Sequence, residues 1–456
     1  MPKQKHDYDL IVLGGGAGGT VAAHISASSG KKVALIEPGD VGGNCSNWGL
    51  IPAGALINAA NIYDTARRSE RFGIRSSALS YNYPSLKAWR DLVVKRTGAG
   101  QTKRILEAQG IQVISGEARF VDPHTVSVNR QQLSADKFLI ATGSHDFLPP
   151  IEGLDKVPFL TYKEASQLSR PPKSTFIIGS TPTACEYASL FSTFGTKIII
   201  SDIAPRLLMN EDEEASDLLQ KVLHDERGVT TLLNTKVHRV SKEGLSKRVQ
   251  FQQGHEIKSV KVDEVFIANG RLANVQLDLE KAGVKYTPQG IKVNSHLQTS
   301  TKHIYAAGSV TGISQFPNIA VYQSRLAGYN LWSKQQIEAD YSAAPHIVLT
   351  NPEIASVGVS ENDCVKRDLK YKKALVPLTL AARANITNTQ HGFVKVLTKA
   401  NGTLIGATIA GPAAGEMIHE LTLAIQYELT AQEVAQTIHA FPSWNEAVRI
   451  ACNKVR

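Results

Sequence analysis

The stretch YDLIVLGGGAGGTVAAHISASSGKKVALIE, residues 8–37, decides the fold of this chain. An apolar, β-branched run predicts a buried strand, a glycine-rich turn follows, and a small-residue helix leads into a second strand that ends at Glu37. The turn matches GxGxxG: Gly14 permits the tight turn, Gly16 lets backbone approach a pyrophosphate, and Gly19 lets helix and strand pack closely. Free N–H groups at the helix start favour phosphate, and a terminal acid at this distance favours ribose hydroxyls. The sequence therefore predicts a dinucleotide-binding α/β unit.

A second strand, turn and helix lie further along the chain, in residues 174–202. This turn keeps the first glycine as Gly179, but Thr181 replaces the second glycine and takes space that a pyrophosphate would approach. Pro182 suits the first turn of a helix. Asp202 is an acid at the end of the second strand, which favours NAD over NADP. The unit is interpreted as a nicotinamide dinucleotide site, with a structural unit that no longer binds nucleotide as the alternative.

The composition is that of a multidomain globular protein. The chain has 456 residues, of which 42% are hydrophobic and 20% charged, and this length corresponds to about three domains. Its four cysteines lie far apart without a CxxC pair, which argues against a disulfide scaffold or a zinc site and favours a reducing, cytoplasmic location. His419-Glu420 does not complete a metal-binding motif. Neither a signal peptide nor a membrane span of about 18 apolar residues is expected.

The net charge of +9 is concentrated in one stretch. Residues 61–104 hold ten basic and three acidic side chains, a surplus of +7. The simpler interpretation is a solvated face of two helices, and the alternative is a positive field that attracts an anionic acceptor or partner. Nucleic-acid binding is not expected, because no regularly spaced stacking aromatics accompany the charge.

Further motifs along the chain carry a resemblance to a known family. They are GGNC ending at Cys45, ATG at 141–143, CEYASLF from Cys185, ANGR from Ala268, IYAAGS from Ile304, TNPEIASVG from Thr350 and FPSWNE from Phe441. With the first glycine turn, these motifs make nearly the whole chain similar to the flavoprotein disulfide reductases, such as dihydrolipoamide dehydrogenase, glutathione reductase and mercuric reductase. The local sequences CSNWGL and CEYASLF look like the soluble pyridine nucleotide transhydrogenase branch. The resemblance implies FAD, NAD(P)H and a homodimer.

The resemblance also implies the architecture, an α/β fold of two Rossmann-like dinucleotide-binding domains plus a C-terminal α+β dimerisation domain. Residues 1–147 and 271–340 would form the FAD-binding domain, 148–270 the NAD(P)-binding domain and 341–456 the dimerisation domain. Besides the three glycines and the glutamate of the first unit, the cofactor-binding residues that it implies are Gly43, Ala118, Thr142, Gly143, Gly308 and Ser309 for FAD and Gly179, Asp202 and Gly270 for NAD(H).

Departures from the family pattern lie at the redox centre. The family joins two cysteines five positions apart in a reactive disulfide, but here only Cys45 is present and the second position is Leu50. The family lysine that follows the next proline is Gly54 in this chain, whereas Glu186, the glutamate with which that lysine pairs, is retained. The flavin-binding Gly-Asp has become Gly-Ser at Ser309, which can still bond a ribityl hydroxyl but without charge.

The C-terminal acid–base site of the family departs as well. Its His-Pro pair, supplied by the other subunit, is Phe441-Pro442 here, although Glu446, which would orient the histidine, remains. His439 lies two residues earlier and is either a substitute acid or, as is more common for such a histidine, a packing residue. The candidate catalytic residues are Cys45, Glu186 and Glu446.

These departures determine the expected chemistry. Disulfide exchange requires an attacking thiolate, a second sulfur and a proton carrier, so dihydrolipoamide, glutathione disulfide and mercuric ion are not expected as substrates. The predicted function is FAD-dependent NAD(P)H oxidation with a small-molecule, non-disulfide acceptor: a quinone, a dye or a second nicotinamide. The alternatives are a non-catalytic or regulatory flavoprotein, and thiol chemistry through Cys45 with a persulfide or small thiol supplied in trans. Cys45 itself is either a packing remnant or a reactive thiol whose pKa a helix N-terminus lowers.

Overall fold

Strands and helices alternate along the chain as its apolar patterns predict. The computed structural model describes residues 6–75, 78–97 and 102–455. The strands are β1 (Tyr8–Leu13), β2 (Val33–Glu37), β3 (Gln112–Ser115), β4 (Ala118–Asp122), β5 (Thr125–Val128), β6 (Gln131–Ile140), β7 (Ser144–Asp146), β8 (Ser174–Ile178), β9 (Lys197–Ser201), β10 (Thr230–Leu232), β11 (Thr235–Glu243), β12 (Ser246–Gln253), β13 (Glu256–Val262), β14 (Glu264–Ile267), β15 (Arg271–Ala273), β16 (Tyr286–Thr287), β17 (Gly290–Ile291), β18 (Ile304–Ala306), β19 (His346–Val348), β20 (Glu353–Gly358), β21 (Lys372–Pro377), β22 (Phe393–Thr398) and β23 (Leu404–Gly411). The α-helices are α1 (Ala17–Ser28), α2 (Gly43–Asn47), α3 (Leu50–Arg67), α4 (Tyr83–Arg96), α5 (Thr102–Ala108), α6 (Tyr162–Gln167), α7 (Pro182–Thr193), α8 (Glu213–Asp225), α9 (Pro317–Asn330), α10 (Glu361–Lys366), α11 (Ala382–Ile386), α12 (Ala414–Gln426), α13 (Ala431–Gln436) and α14 (Glu446–Asn453). Short 3₁₀ helices lie at Ser69–Phe72, Leu154–Lys156, Leu279–Ala282, Ser309–Thr311 and Leu378–Leu380.

The first of two compact units consists of Met1–Ala55, Pro84–Phe147 and Gly270–Ala339. Its main sheet has the strand order β3-β2-β1-β6-β5-β4, and β18 also pairs with β6. The strands β3, β2, β1, β6 and β18 are parallel, whereas β4 and β5 extend the sheet in antiparallel fashion from β6. Both faces of the sheet are buried: Ile11 belongs to one apolar cluster and Leu10 to another. This explains why β1 is a continuous apolar run rather than an alternating one.

The second unit consists of Leu56–Tyr83, Leu148–Asn269 and Asp340–Arg456. It contains a parallel sheet of order β10-β9-β8-β14, an antiparallel β11-β12-β13 meander and an antiparallel sheet of order β19-β20-β23-β22-β21. The segment expected to bind NAD(P) and the segment expected to form the dimerisation domain therefore lie in one unit.

Each unit has a central strand, turn and helix in its parallel sheet: β1 and α1 in the first, β8 and α7 in the second. Ligands of open parallel sheets bind beyond the carboxyl ends of such strands, which is where both glycine turns lie. With the antiparallel sheet and helices of the C-terminal part, the predicted fold class is confirmed.

Most basic residues between 61 and 104 are exposed, but two of the arginines are not fully solvated. In the second unit, Arg68 bonds to Asp64 at 3.2 Å and to Glu226 at 2.5 Å. In the first unit, Arg90 is only 2% exposed. The interpretation as a fully solvated helix face is therefore wrong for these two arginines, and the free positive charge is smaller than the sequence suggests.

Candidate functional site

The first glycine turn requires glycine for steric reasons. Gly14 has φ +111°, and a Cβ there would lie 2.2 Å from the carbonyl oxygen of Ala141. A Cβ at Gly19 would lie 2.0 Å from the carbonyl oxygen of Gly14. Any larger residue would push the start of α1 away from the end of β1, so the local geometry depends on these two glycines.

The start of α1 forms an open cradle. Gly16 is the N-cap and no side chain caps this helix, while a Cβ on Gly16 would meet only the Cα of Gly43, at 3.6 Å. Gly43 has φ +66° and approaches so closely that its own Cβ would lie 2.7 Å from the Cα of Gly16. The helix N-terminus supplies N–H groups and a positive dipole. The space that a side chain would fill at Gly16 thus fits the pyrophosphate of FAD.

Glu37 ends β2 beside this cradle. Its carboxylate accepts the N–H of Gly15 at 2.7 Å and the N–H of Gly39 at 2.9 Å. Each carboxylate oxygen has two acceptor positions, so the group is held in place and retains capacity for ribose hydroxyls. This geometry fits the role that the sequence predicts for the residue.

The ATG loop of the first unit is fixed by a residue that sequence reasoning missed. The Thr142 hydroxyl donates to the carbonyl of Asn274 at 2.8 Å, and the Asn274 amide donates back to the carbonyl of Thr142 at 2.8 Å. The N–H of Asn274 donates to the carbonyl of Gly143 at 3.0 Å. Asn274 lies 132 positions from Thr142, and no local pattern marks it.

The remaining predicted FAD residues also lie in the first unit. Gly308 donates its N–H to the amide oxygen of Gln323 at 2.7 Å, and Ser309 starts the following 3₁₀ turn. Ala118 is buried at the start of β4. Arg271, in the quoted ANGR motif but not among the predicted residues, donates to the hydroxyl of Ser144 at 2.9 Å. The motif itself was the signal that could have identified this arginine.

Cys45 is a half-buried free thiol in α2. Burial raises the pKa of the Cys45 thiol, which is the opposite of the lowering that a helix N-terminus would give. The position five residues on, Leu50, begins α3, and the other three cysteines are buried free thiols. Among the described residues, Cys45 is thus a thiol without a disulfide partner.

The second glycine turn repeats the backbone of the first. Gly179 has φ +116°, and a Cβ there would lie 2.1 Å from the carbonyl oxygen of Ala268. The helix end differs, however, because Thr181 is a side-chain N-cap for α7. Its hydroxyl donates to the carbonyl of Ala268 at 2.8 Å and accepts the N–H of Ala184 at 3.5 Å. This turn keeps the geometry that a dinucleotide requires, but its helix end already carries a partner.

Asp202 follows β9 beside this turn. Its carboxylate accepts the hydroxyl of Ser180 at 2.7 Å and the N–H of Ala204 at 2.9 Å. The nearest following cation, Arg206, directs its guanidinium at loop carbonyls, including those of Met209 at 3.0 Å and Glu211 at 2.9 Å. Gly270, the other predicted NAD(H) residue, belongs to the first unit, where its carbonyl accepts the N–H of Phe147 at 2.9 Å.

Glu186 is a buried carboxyl on α7, 5% exposed. One oxygen accepts the N–H of Leu349 at 3.0 Å. Burial raises the pKa of Glu186 to about 7, and the Leu349 hydrogen bond opposes this rise only in part. Among the residues that the structure describes, no cationic side chain forms an ion pair with it. Glu186 is therefore suited to hold a proton near neutral pH.

His439, near the C-terminus, has a hydrogen-bond partner at each ring nitrogen. Its Nε2 lies 2.7 Å from the Glu420 carboxylate and its Nδ1 lies 2.7 Å from the carbonyl of Thr437, so both nitrogens have partners. Glu446 instead accepts the N–H of Ala382 at 2.9 Å. Phe441 is 74% exposed. A carboxylate partner is found both for packing histidines and for acid–base histidines, so both interpretations of His439 stay predictions.

Two parallel-sheet units, each with a glycine turn and a terminal acid, define a protein built to bind two dinucleotides. The chain belongs to the pyridine nucleotide-disulphide oxidoreductase family: the family model matches residues 8–327 and its dimerisation domain matches residues 344–452. Members of this family use FAD and NAD(P)H, and the second match indicates a homodimer.

Known proteins extend this likeness over the whole chain. It is 31% identical over 448 residues to the mercuric reductase of Staphylococcus aureus, covering 98% of this chain and 82% of that protein. It is 33% identical over 448 residues to the dihydrolipoyl dehydrogenase of Geobacillus stearothermophilus, covering 96% and 94%. The fold is similar to LpdA from Mycobacterium tuberculosis, with a TM-score of 0.88, 25% identity and coverage of 98% and 99%. It is also similar to the HOCl-induced flavoprotein disulfide reductase RclA from Escherichia coli, with a TM-score of 0.88, 26% identity and coverage of 98% and 100%.

Crossing a membrane and binding a metal ion each require a recognisable feature in the described part of the chain. None of its helices combines the length and apolar character needed to cross a bilayer. Within the same residues, no three His, Cys, Asp or Glu side chains are grouped so that they could hold a metal ion.

Proposed function

We propose that this chain is an FAD-dependent NAD(P)H oxidoreductase that passes electrons from the flavin directly to a non-disulfide acceptor: a quinone, a dye or a second nicotinamide. The observation that carries the proposal is the lone thiol of Cys45, with Leu50 where the family has its second sulfur. Thiol–disulfide exchange proceeds through a mixed disulfide and needs that second sulfur to complete turnover. A half-buried thiol with a raised pKa is also a poor nucleophile.

Residues of the first unit support the binding part of this proposal. The open space at Gly16 and Gly43 supports a role in pyrophosphate binding, and the fixed carboxylate of Glu37 supports a role in binding ribose hydroxyls. Bound FAD supplies two-electron chemistry that can take a hydride from a nicotinamide and release electrons to an acceptor. We assign residues 1–147 and 271–340 to this FAD-binding part, 148–270 to NAD(P) binding and 341–456 to dimerisation.

The preferred nicotinamide on this proposal is NADH. On this proposal the Asp202 carboxylate binds the ribose hydroxyls of the nicotinamide dinucleotide, and it would repel a 2′-phosphate. Arg206, the next cation along the chain, is engaged with loop carbonyls. We therefore expect a higher kcat/KM for NADH than for NADPH.

The experiment compares acceptors and one variant on the FAD-loaded protein. NADH oxidation is measured with menadione, ferricyanide and thio-NAD⁺, and in parallel with lipoamide, glutathione disulfide and mercuric ion. We expect turnover only in the first group, with Cys45→Ala retaining it. Brisk lipoamide reduction, or loss of quinone reduction in Cys45→Ala with FAD still bound, would overturn the proposal and point to thiol chemistry.

A second candidate function is a regulatory flavoprotein without turnover, which the occupied helix end at Thr181 favours. Anaerobic addition of NADH separates the two. Rapid bleaching of the flavin absorbance supports the enzyme, and an unchanged spectrum supports the regulatory protein.

A further inference from the structure

The two glycine turns differ most at one equivalent position, occupied by Gly16 in the first and Thr181 in the second. Both residues are the N-cap of the helix that follows the turn. Gly16 leaves its helix end without a side-chain cap, whereas the Thr181 hydroxyl accepts the N–H of Ala184. The first N–H groups of a helix are those that an incoming phosphate uses. In the second turn, a phosphate and the threonine hydroxyl therefore compete for the same end of the helix.

The ribose-binding carboxylates show the same difference. Glu37 is held by two backbone N–H groups, from Gly15 and Gly39. Asp202 is held by one backbone N–H and by the hydroxyl of Ser180, the residue next to Thr181. In the second turn, Thr181 thus bonds one N–H of the helix end and Ser180 bonds the ribose-binding carboxylate, whereas the first turn has glycine at both positions.

We propose that Thr181 is an internal competitor of the dinucleotide pyrophosphate and sets a weak affinity for NAD(H) at the second turn. The hydroxyl must leave the helix end, or share it, before a phosphate can approach, and the methyl group narrows the approach. This inference rests on the proposed function in that it takes NAD(H) as the ligand of the second turn, but it concerns affinity and not the electron acceptor.

Replacing Thr181 by glycine tests this without a large cost in stability, because glycine is itself an acceptable N-cap. Thr181→Gly removes both the hydroxyl and the methyl and is expected to bind NAD⁺ about tenfold more tightly, the factor associated with one competing hydrogen bond. Thr181→Ser keeps the hydroxyl and loses only the methyl, so it is expected to tighten NAD⁺ binding less than Thr181→Gly does. Thr183→Gly is the matched control, since it introduces the same residue two positions on without opening the helix end.

Isothermal titration calorimetry of the FAD-loaded protein measures the affinities, with NAD⁺, ADP-ribose and adenosine as probes. We expect Thr181→Gly to bind NAD⁺ and ADP-ribose more tightly than the parent protein does, because both ligands carry a pyrophosphate. The affinity for adenosine, which has no pyrophosphate, should not change. Unchanged or weaker ADP-ribose binding in Thr181→Gly, or equal tightening in Thr183→Gly, would overturn the proposal.

Acceptor turnover is measured separately on the same samples. A loss of quinone reduction with the tightening intact would count against the proposed function alone. Turnover with no tightening would count against the competition at Thr181 alone. The two failures are therefore distinguishable.

Discussion

Two glutamates of the second unit, Glu186 and Glu211, are almost equally buried, at 5% and 3% exposure, yet their environments differ sharply. Glu186 has an N–H partner from Leu349, and burial raises its pKa to about 7. For Glu211, burial alone would raise the pKa, but the hydrogen bond and charge of His346, with the Ser356 hydroxyl, outweigh it and lower the pKa. Burial by itself therefore does not decide whether a carboxyl is charged; the partners do.

Asp212, the residue that follows Glu211, belongs to a network of carboxylates around one buried lysine. Lys395, on β22, is 1% exposed and lies 2.7 Å from Glu214, 2.6 Å from Glu361 and 3.4 Å from Asp212. Asp212 also accepts the Thr408 hydroxyl at 2.9 Å. These contacts join the parallel-sheet segment to the C-terminal antiparallel sheet inside the second unit. A buried network of this kind stabilises a structure only while every member has its partner.

Glu186, which has no ion-pair partner among the described residues, lies on α7, the helix that begins at the second glycine turn. Sequences depart from the rule of paired buried charge chiefly at functional sites. We therefore propose that Glu186, rather than Glu211, is the carboxyl of this pair that holds a proton during turnover.

The largest expected effect comes from breaking the network. Lys395→Met leaves three carboxylates without their shared cation and is expected to lower the free energy of unfolding by about 3–5 kcal/mol. Urea unfolding of the FAD-loaded protein at neutral pH measures the loss. Lys373→Met is the control, because this half-exposed lysine also bonds Glu361 and should cost below about 1 kcal/mol. Equal losses in the two variants would contradict the network.

Removing the charge at Glu186 should change how stability depends on pH. The folded pKa of about 7 lies above the ordinary value of 4.5, so the folded state holds the proton more tightly. The protonated Glu186 carboxyl therefore contributes fully to the free energy of unfolding below pH 4.5. This contribution is lost as pH rises through the folded pKa. Glu186→Gln is neutral at every pH. Its free energy of unfolding should therefore rise relative to that of the parent protein by up to about 3 kcal/mol between about pH 5 and pH 8. A difference independent of pH would contradict the raised pKa.

Glu211→Gln should show the opposite pH dependence. This substitution leaves His346 without its carboxylate partner. It is expected to lower the free energy of unfolding by about 2 kcal/mol at neutral pH. Because the pKa of Glu211 is lowered on folding, this contribution is present above the ordinary carboxyl pKa and is lost as pH falls through the folded pKa. Unfolding free energies measured on acidification test this, and a deficit that grows at low pH would be inconsistent with it.

The smallest expected effect is kinetic. If Glu186 holds a proton during turnover, kcat/KM for NADH should show an inflection near pH 7 in the parent protein that Glu186→Gln lacks. Rates should change a few-fold, and Glu211→Gln should keep the inflection. A parent profile that is flat through neutral pH would assign Glu186 a structural role like that of Glu211.

Much of the fold could be predicted from the sequence because its signals are local. The apolar run of 8–13 and the glycine turn after it dictate a strand, a tight turn and a helix, and all three are present. The substitution at Thr181 predicts a compromised phosphate site, and this stays a prediction. Arg90 is a counterexample: its sequence neighbourhood is basic and suggested solvent, but the side chain is buried.

The sequence by itself determined the two turns, the open helix end at Gly16 and the missing sulfur at Leu50, because backbone sterics and chemical identity need no distant partner. Only the tertiary structure decided which buried carboxyls have a cationic partner. Leu349 lies 163 positions from Glu186, and His346 lies 135 positions from Glu211. Contacts at such separations depend on how sheets and helices pack, which no local periodicity encodes.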